Sequence, residues 1–213
     1  MSVIAALIHE DRVYMGADNA GSFGDGVQFR YAPEQPKIEI VSGFVVGLAG
    51  DGGVIPAVRD YIANSWTTFN GGSLMLYLEN YASDLRGVIR EYADQSIVAP
   101  EENSPVIGFE MLIGAHGQLA HVNHTATVTT FAQPYAAIGS GYAIAWGALA
   151  FAYRTQPDLP PKDILTAALL ATCDHSEACR EPIDVLCESD VLDYATPATK
   201  RAQWLGRLAK KRG

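Results

Sequence analysis

Ser2-Val3-Ile4-Ala5-Ala6-Leu7-Ile8-His9-Glu10-Asp11-Arg12-Val13-Tyr14-Met15-Gly16-Ala17-Asp18 is the stretch on which the reading of this chain turns. Val3 to Ile8 is a short apolar run with β-branched residues, His9 to Arg12 is a polar turn, and Val13 to Ala17 is apolar again. That pattern predicts a β-hairpin over residues 3–17. A small hydroxyl residue at position two allows removal of the initiator Met. Downstream, Lys37 opens the next strand pattern and Ala49-Gly50-Asp51-Gly52-Gly53 closes the one after it. A leading hydroxyl, a strand, an Asp, a Lys and a Gly turn form the order an enzyme needs if its own first residue is the nucleophile. In such an enzyme the free α-amine serves as base beside a buried cation.

Outward from that stretch, residues 19–36 hold Gly21, Gly24, Gly26, Pro33 and Pro36 and read as a long loop. Lys37 to Val41 alternates, and Phe44 to Ala49 is continuously apolar, as in a strand covered on both faces. A helix is expected over 54–65, with Asp51 or Gly52 at its start. Leu74, Leu78, Tyr81, Leu85, Val88 and Tyr92 recur at helical steps behind Ser73, a fair N-cap. After a polar loop at 96–104, strands are expected at Val106 to Ile113, Leu119 to Val122, Thr125 to Phe131 and Ala136 to Ile138. Gly139-Ser140-Gly141 then leads an Ala-rich helix near 142–153, and Pro161 opens a helix over 162–176. Ile183 to Cys187 is a last strand, and a C-terminal helix is expected over 197–211. Runs of strands alternating with runs of helices predict an α+β fold, a four-layer αββα sandwich of two antiparallel sheets between helical layers.

The 213 residues are enough for one domain with a full core. With 48% hydrophobic and 18% charged residues the chain reads as globular. No apolar run reaches the length of a membrane span, and the N-terminus lacks the layout of a secretory signal. The net charge of −9 argues against nucleic acid as a partner. The last fourteen residues run against that balance: Lys200, Arg201, Arg207, Lys210, Lys211 and Arg212 stand there with no acid. We therefore divide the chain into a domain over 1–195 and a basic tail over 196–213, read either as a solvated helix end or as a docking element for an acidic neighbouring subunit. Cys173, Cys179 and Cys187 are odd in number and clustered, which suits a reducing, cytoplasmic setting and makes neither a disulfide framework nor a zinc site. His121 and His124 read as strand-end polar residues rather than metal ligands. No metal or organic cofactor is expected.

Ser2, Gly16-Ala17-Asp18, Lys37-Ile38, Gly47-Leu48-Ala49-Gly50 and Ile138-Gly139-Ser140-Gly141, in that order, resemble the N-terminal-nucleophile hydrolases, specifically proteasome β subunits and bacterial HslV. The likeness covers about residues 2–190. It implies that Ser2 takes the place of the family's nucleophilic threonine, its α-amine acting as general base through a water. Lys37 matches the lysine that lowers the nucleophile's pKa, and Asp18 the aspartate that holds this lysine charged. Gly50 matches the oxyanion glycine, Ser140 the serine near the terminal amine, and Asp174 the late aspartate. Three departures stand out. Serine replaces threonine, the loop between Asp18 and Lys37 is longer than the family's, and Glu177-Ala178-Cys179 replaces the usual Ser-Gly-Gly after Asp174.

The resemblance thus implies a peptidase that forms an acyl-enzyme on Ser2 after Met1 removal, inside a ring-shaped homo-oligomer, acting on peptides or unfolded proteins with an ATP-driven unfoldase as a possible partner. Two alternatives stay open. One is a catalytically silent proteasome-like subunit that builds a ring or shell. The other is an amidohydrolase acting on a small amide.

Overall fold

The computed structural model describes residues 2–22, 28–30, 36–50, 52–95, 109–177 and 179–193. The expected loop at 96–104, the expected C-terminal helix and Asp51 lie outside them. β1 (Ile4–His9) and β2 (Arg12–Asp18) form the expected hairpin, with Ile4 opposite Ala17 and His9 opposite Arg12. The segment read as a loop after Asp18 contains two short paired strands, β3 (Ala20–Ser22) and β4 (Gln28–Arg30). They carry no long alternation, so periodicity could not separate them from loop. β5 (Ile38–Val41) and β6 (Phe44–Gly50) follow, then α1 (Val54–Ser65) and α2 (Leu74–Gln95). β7 (Phe109–Ala115), β8 (Gln118–Asn123), β9 (Val128–Thr130) and β10 (Tyr135–Ile138) lead to α3 (Tyr142–Thr155), α4 (Pro161–His175) and β11 (Ile183–Cys187).

Besides the β3–β4 pair, the described strands form two antiparallel sheets, ordered β10-β1-β2-β11 and β5-β6-β7-β8-β9. Strand alternation sorts their side chains into three cores. Val3, just before β1, and Ala5 and Leu7 within it face Leu149, Leu165 and Leu169 of α3 and α4, while Ile4 and Ala6 face the second sheet. In β6, Phe44, Val46 and Leu48 face Val58, Ile62, Leu78 and Leu85 of α1 and α2, while Val45 and Ala49 face the first sheet. The result is the expected αββα sandwich, two sheets between two helical layers.

The sheets touch closely at glycines: a Cβ on Gly114 would lie 2.3 Å from Val13 Cγ1 across the sheets. A Cβ on Gly47 would lie 2.6 Å from Ile4 Cγ2 and 2.9 Å from Met15 Sδ. Under α1 and α2, Phe44 packs edge-on to Trp66, with ring centroids 5.2 Å apart. Helix ends obey local chemistry. Ser73 Oγ accepts the Leu76 N–H at 3.3 Å, and Pro161 occupies the first helical position of α4. The N-cap of α1 is Gly53, one or two residues past the expected start. Among the described residues no helix is long and apolar enough to cross a membrane.

Candidate active site

The hairpin carries Asp18 to the end of β2, where the first sheet meets the start of β5. Asp18 is fully buried and accepts four hydrogen bonds. Lys37 Nζ donates to Oδ1 at 2.6 Å and the Val3 N–H donates to the same oxygen at 2.9 Å. The backbone N–H groups of Ala20 and Arg180 both donate to Oδ2 at 3.1 Å. One carboxylate therefore ties together the head of β1, the start of β3, the residue before β5 and the approach to β11. A buried carboxylate with four donors is well compensated. Burial pushes the Lys37 ammonium below its ordinary pKa, and the Asp18 charge opposes that fall.

Ser2 is 7% exposed. Its N–H donates to Ser140 Oγ at 3.0 Å, and its carbonyl accepts the Ser140 hydroxyl at 3.2 Å and the Gly141 N–H at 3.1 Å. In the full chain that nitrogen is the peptide nitrogen after Met1. The turn that presents Ser140 needs Gly139, which has φ +85° and where a Cβ would fall 2.5 Å from the Ser2 carbonyl oxygen. Glu110 on β7 fixes this turn by accepting the Gly139 N–H at 2.9 Å.

Ser2, Asp18, Lys37 and Ser140 are therefore brought together from four distant parts of the chain. Gly50 ends β6 opposite Phe109, with φ +127°, on the strand end that leads to this cluster. Asp174 lies exposed in the last turn of α4. The two residues before it point inward instead. Thr172 is buried and Cys173 half-buried, and burial with the nearby Asp18 charge pushes the Cys173 thiol up to about 11. Burial likewise raises buried Cys179.

Sequence reasoning missed four participants. The Val3, Ala20 and Arg180 donors are backbone groups and leave no mark in a sequence. Glu110 sits in a strand, where an acid reads as a solvent-face residue.

A cavity of about 230 Å³ opens beside the cluster, with Ser2 and Lys37 in its wall. Leu48, Ile55 and Pro56 make its apolar side, and Arg59 and Asp60 of α1 its polar side. Arg59 is committed elsewhere. Its Nε donates to Glu39 and its Nη2 to the Pro36 carbonyl at 2.7 Å. Among the described residues no group of three or more His, Cys, Asp or Glu side chains is placed to hold a metal ion.

This is the fold of the N-terminal-nucleophile hydrolases of HslV and proteasome type. The chain resembles BPH of Thiobacillus denitrificans, solved in complex with epoxomicin, at TM-score 0.70 and 20% identity over 87% of this chain and 97% of that one. It also resembles HslV from Trypanosoma brucei (TM-score 0.60, 17% identity, 87% and 98% covered). A third likeness is Anbu, an ancestral beta-subunit, from Yersinia bercovieri (TM-score 0.60, 15% identity, 98% and 94% covered). No protein-family model and no curated protein matches the sequence. At these identities the likeness is one of fold.

The expectation of a peptidase acting through an acyl-enzyme on Ser2 is corrected by these findings. The shared fold is that of a group whose pattern calls for threonine at the position where this chain has Ser2. The identities are too low to carry the nucleophile's role across that change. The cluster also has an architectural reason to exist, since Asp18 holds four chain segments at once.

Proposed function

We propose that this chain is a proteasome-like subunit that assembles with copies of itself into a ring or shell, and that the Asp18 cluster serves as the knot fixing its N-terminal strand. The observation that carries this reading is a pair of exposed apolar areas on opposite helical layers. On α3, Gly147 and Phe151 lie exposed four residues apart on one helix face, with half-buried Ile144 beside them and half-buried Ala148 packed against the core. Phe151 is 64% exposed, and no heavy atom lies within 4 Å of where a Gly147 Cβ would sit. No charged residue occurs from Tyr142 to Tyr153. The second area is Met75 and Leu76 at the start of α2, in the other helical layer. A two-fold dimer needs one self-complementary patch, whereas a ring or shell needs separate surfaces meeting separate neighbours.

Native mass spectrometry of the full chain tests this reading. Multiples of the 22.9 kDa subunit are expected, and Phe151→Glu should lower the stoichiometry. A monomer unaffected by that substitution would overturn it.

A second reading, hydrolysis of a small amide, is favoured by the cavity walled by Ser2 and Lys37. On this reading Ser2, Asp18, Lys37 and Ser140 are the groups beside a bound amide, and the end of β6 at Gly50 supplies backbone polarity. Release of amine or ammonia from short amides, lost in Ser2→Ala with assembly intact, would support it. No release from wild type would remove it.

A further inference from the structure

We infer that Glu110 and His121 form a proton-operated latch on the turn that clasps Ser2: while His121 is neutral the Glu110 carboxylate holds the Gly139 N–H, and a proton on His121 draws that carboxylate away and loosens the turn. This goes beyond assembly and beyond amide hydrolysis, and it rests on neither.

The latch spans the gap between the sheets. On β7, Glu110 stands opposite Asn123 of β8, and Leu112 stands opposite His121. Glu110 and His121 are therefore diagonal neighbours on one face of the second sheet, the face that carries Leu112 into the core between the sheets. The two carboxylate oxygens of Glu110 differ in use. Oε2 accepts the Gly139 N–H at 2.9 Å, which joins the second sheet to the turn after β10. Oε1 lies 3.9 Å from His121 Nε2. That nitrogen is shielded from water and has no hydrogen-bond partner among the described residues. Phe131 lies beside the imidazole, with ring centroids 6.5 Å apart.

Among the described residues, Glu110 is the one charge that faces the imidazole. β7 holds no other charged residue, and β9 and β10 hold none. Tyr135 of β10 belongs to the core under α3 and α4. His9, Arg12, Tyr14 and Asp18 alternate with the residues of β1 and β2 that face the second sheet, and so stand on the opposite face. Helix α2 packs on the far side of β8, against Ala120 and Val122, so its charges do not face His121 either. α3 reaches Phe131 through Trp146 and holds no charged residue from Tyr142 to Tyr153.

Burial holds the His121 imidazole below its ordinary 6.5, and the Glu110 charge opposes that fall. Between 6.5 and the lowered value the unfolded chain binds the additional proton, so stability falls as pH falls through that window. The loss falls on the Glu110–Gly139 bond. An imidazolium N–H needs an acceptor, and a charge-assisted bond to a carboxylate closes at about 2.8 Å. Oε1 must move by about 1 Å to make it. The same carboxylate is bound to Gly139, so the move draws on that bond. Gly139 in turn positions Ser140 and Gly141, whose hydroxyl and N–H bind the Ser2 carbonyl. A proton on β8 is thereby felt at Ser2.

Amide hydrogen exchange of the full chain, read by mass spectrometry and corrected for the intrinsic pH dependence of exchange, provides the test. From about pH 7.5 to about pH 5, protection of residues 138–142 should fall about tenfold, as expected when one hydrogen bond to a charged group is lost. Helix α2 should keep its protection, which separates a local release from acid unfolding. His121→Asn is neutral at both pH values, and Glu110→Gln keeps an acceptor for Gly139 without the charge. Each should abolish the pH step. His175→Asn, at an exposed histidine on α4, should retain it. Protection of residues 138–142 that does not change with pH, a step shared by α2, a step that survives His121→Asn or Glu110→Gln, or loss of the step in His175→Asn would each overturn the inference.

Discussion

Asp18 and Lys37 are an unequal pair. Removing the carboxylate leaves a buried ammonium and three backbone donors facing an amide that cannot satisfy them all. Removing the ammonium leaves a carboxylate that still accepts from Val3, Ala20 and Arg180. Asp18→Asn should therefore cost about 3–5 kcal/mol of stability, and Lys37→Met about 2 kcal/mol, both read by urea unfolding. Similar losses would mean that the lysine, not the backbone network, is the main partner. Alkaline pH separates the two further. Burial holds the folded pKa of Lys37 below its ordinary 10.5. Between that lowered value and 10.5 the unfolded chain binds the additional proton, so the lysine's contribution makes stability climb as pH rises through the window. Lys37→Met should remove this climb, and unfolding midpoints of both proteins across that range will show it. Cys173 gives a simpler readout. With its thiol pushed up to about 11 and Cys179 and Cys187 buried, labelling by a thiol-disulfide reagent at pH 8 should be far slower than for a free cysteine.

The turn between β10 and α3 binds the N-terminal strand to the second sheet through Gly139, Ser140 and Glu110. Gly139→Ala forces a Cβ into the Ser2 carbonyl at a positive φ, and should lower stability by about 3 kcal/mol in a thermal or chemical melt. A loss under about 0.5 kcal/mol would mean that the turn shifts freely. Elements of this length were legible in the sequence for plain reasons. The β1–β2 hairpin shows two apolar runs around a polar turn, and α2 shows steps of three and four. Pro161 marks the start of α4. The short strands β3 and β4 were not legible, because three residues cannot display a period. The site was legible in part. Ser2, Asp18, Lys37 and Ser140 could be singled out by order, and the fold brings them together. Asp174 could be singled out in the same way, yet its side chain is exposed on α4, while Thr172, two residues earlier, is buried and bonds the Ala168 carbonyl of its own helix. Whether a residue faces the core at a helix end depends on packing that sequence order does not encode. The donors on Val3, Ala20 and Arg180 belong to the backbone and have no residue-type signature at all.

At the scale of the molecule, three cores stack in the order helices, sheet, sheet, helices, and each strand of the inner layers alternates between two of them. The continuous apolar runs of β1 and β6 follow from that arrangement, since both faces of each strand are covered. What the stack leaves uncovered is its outside, where Phe151 and Leu76 stand exposed on opposite layers. A lone subunit gains nothing from them, and neighbours in an assembly would bury them. The most direct measurement is the native mass of the full chain at micromolar concentration, set beside that of Phe151→Glu. The account predicts a closed assembly of several 22.9 kDa subunits that falls to smaller species in the variant. A wild-type protein that remains a monomer, with the variant indistinguishable from it, would contradict it.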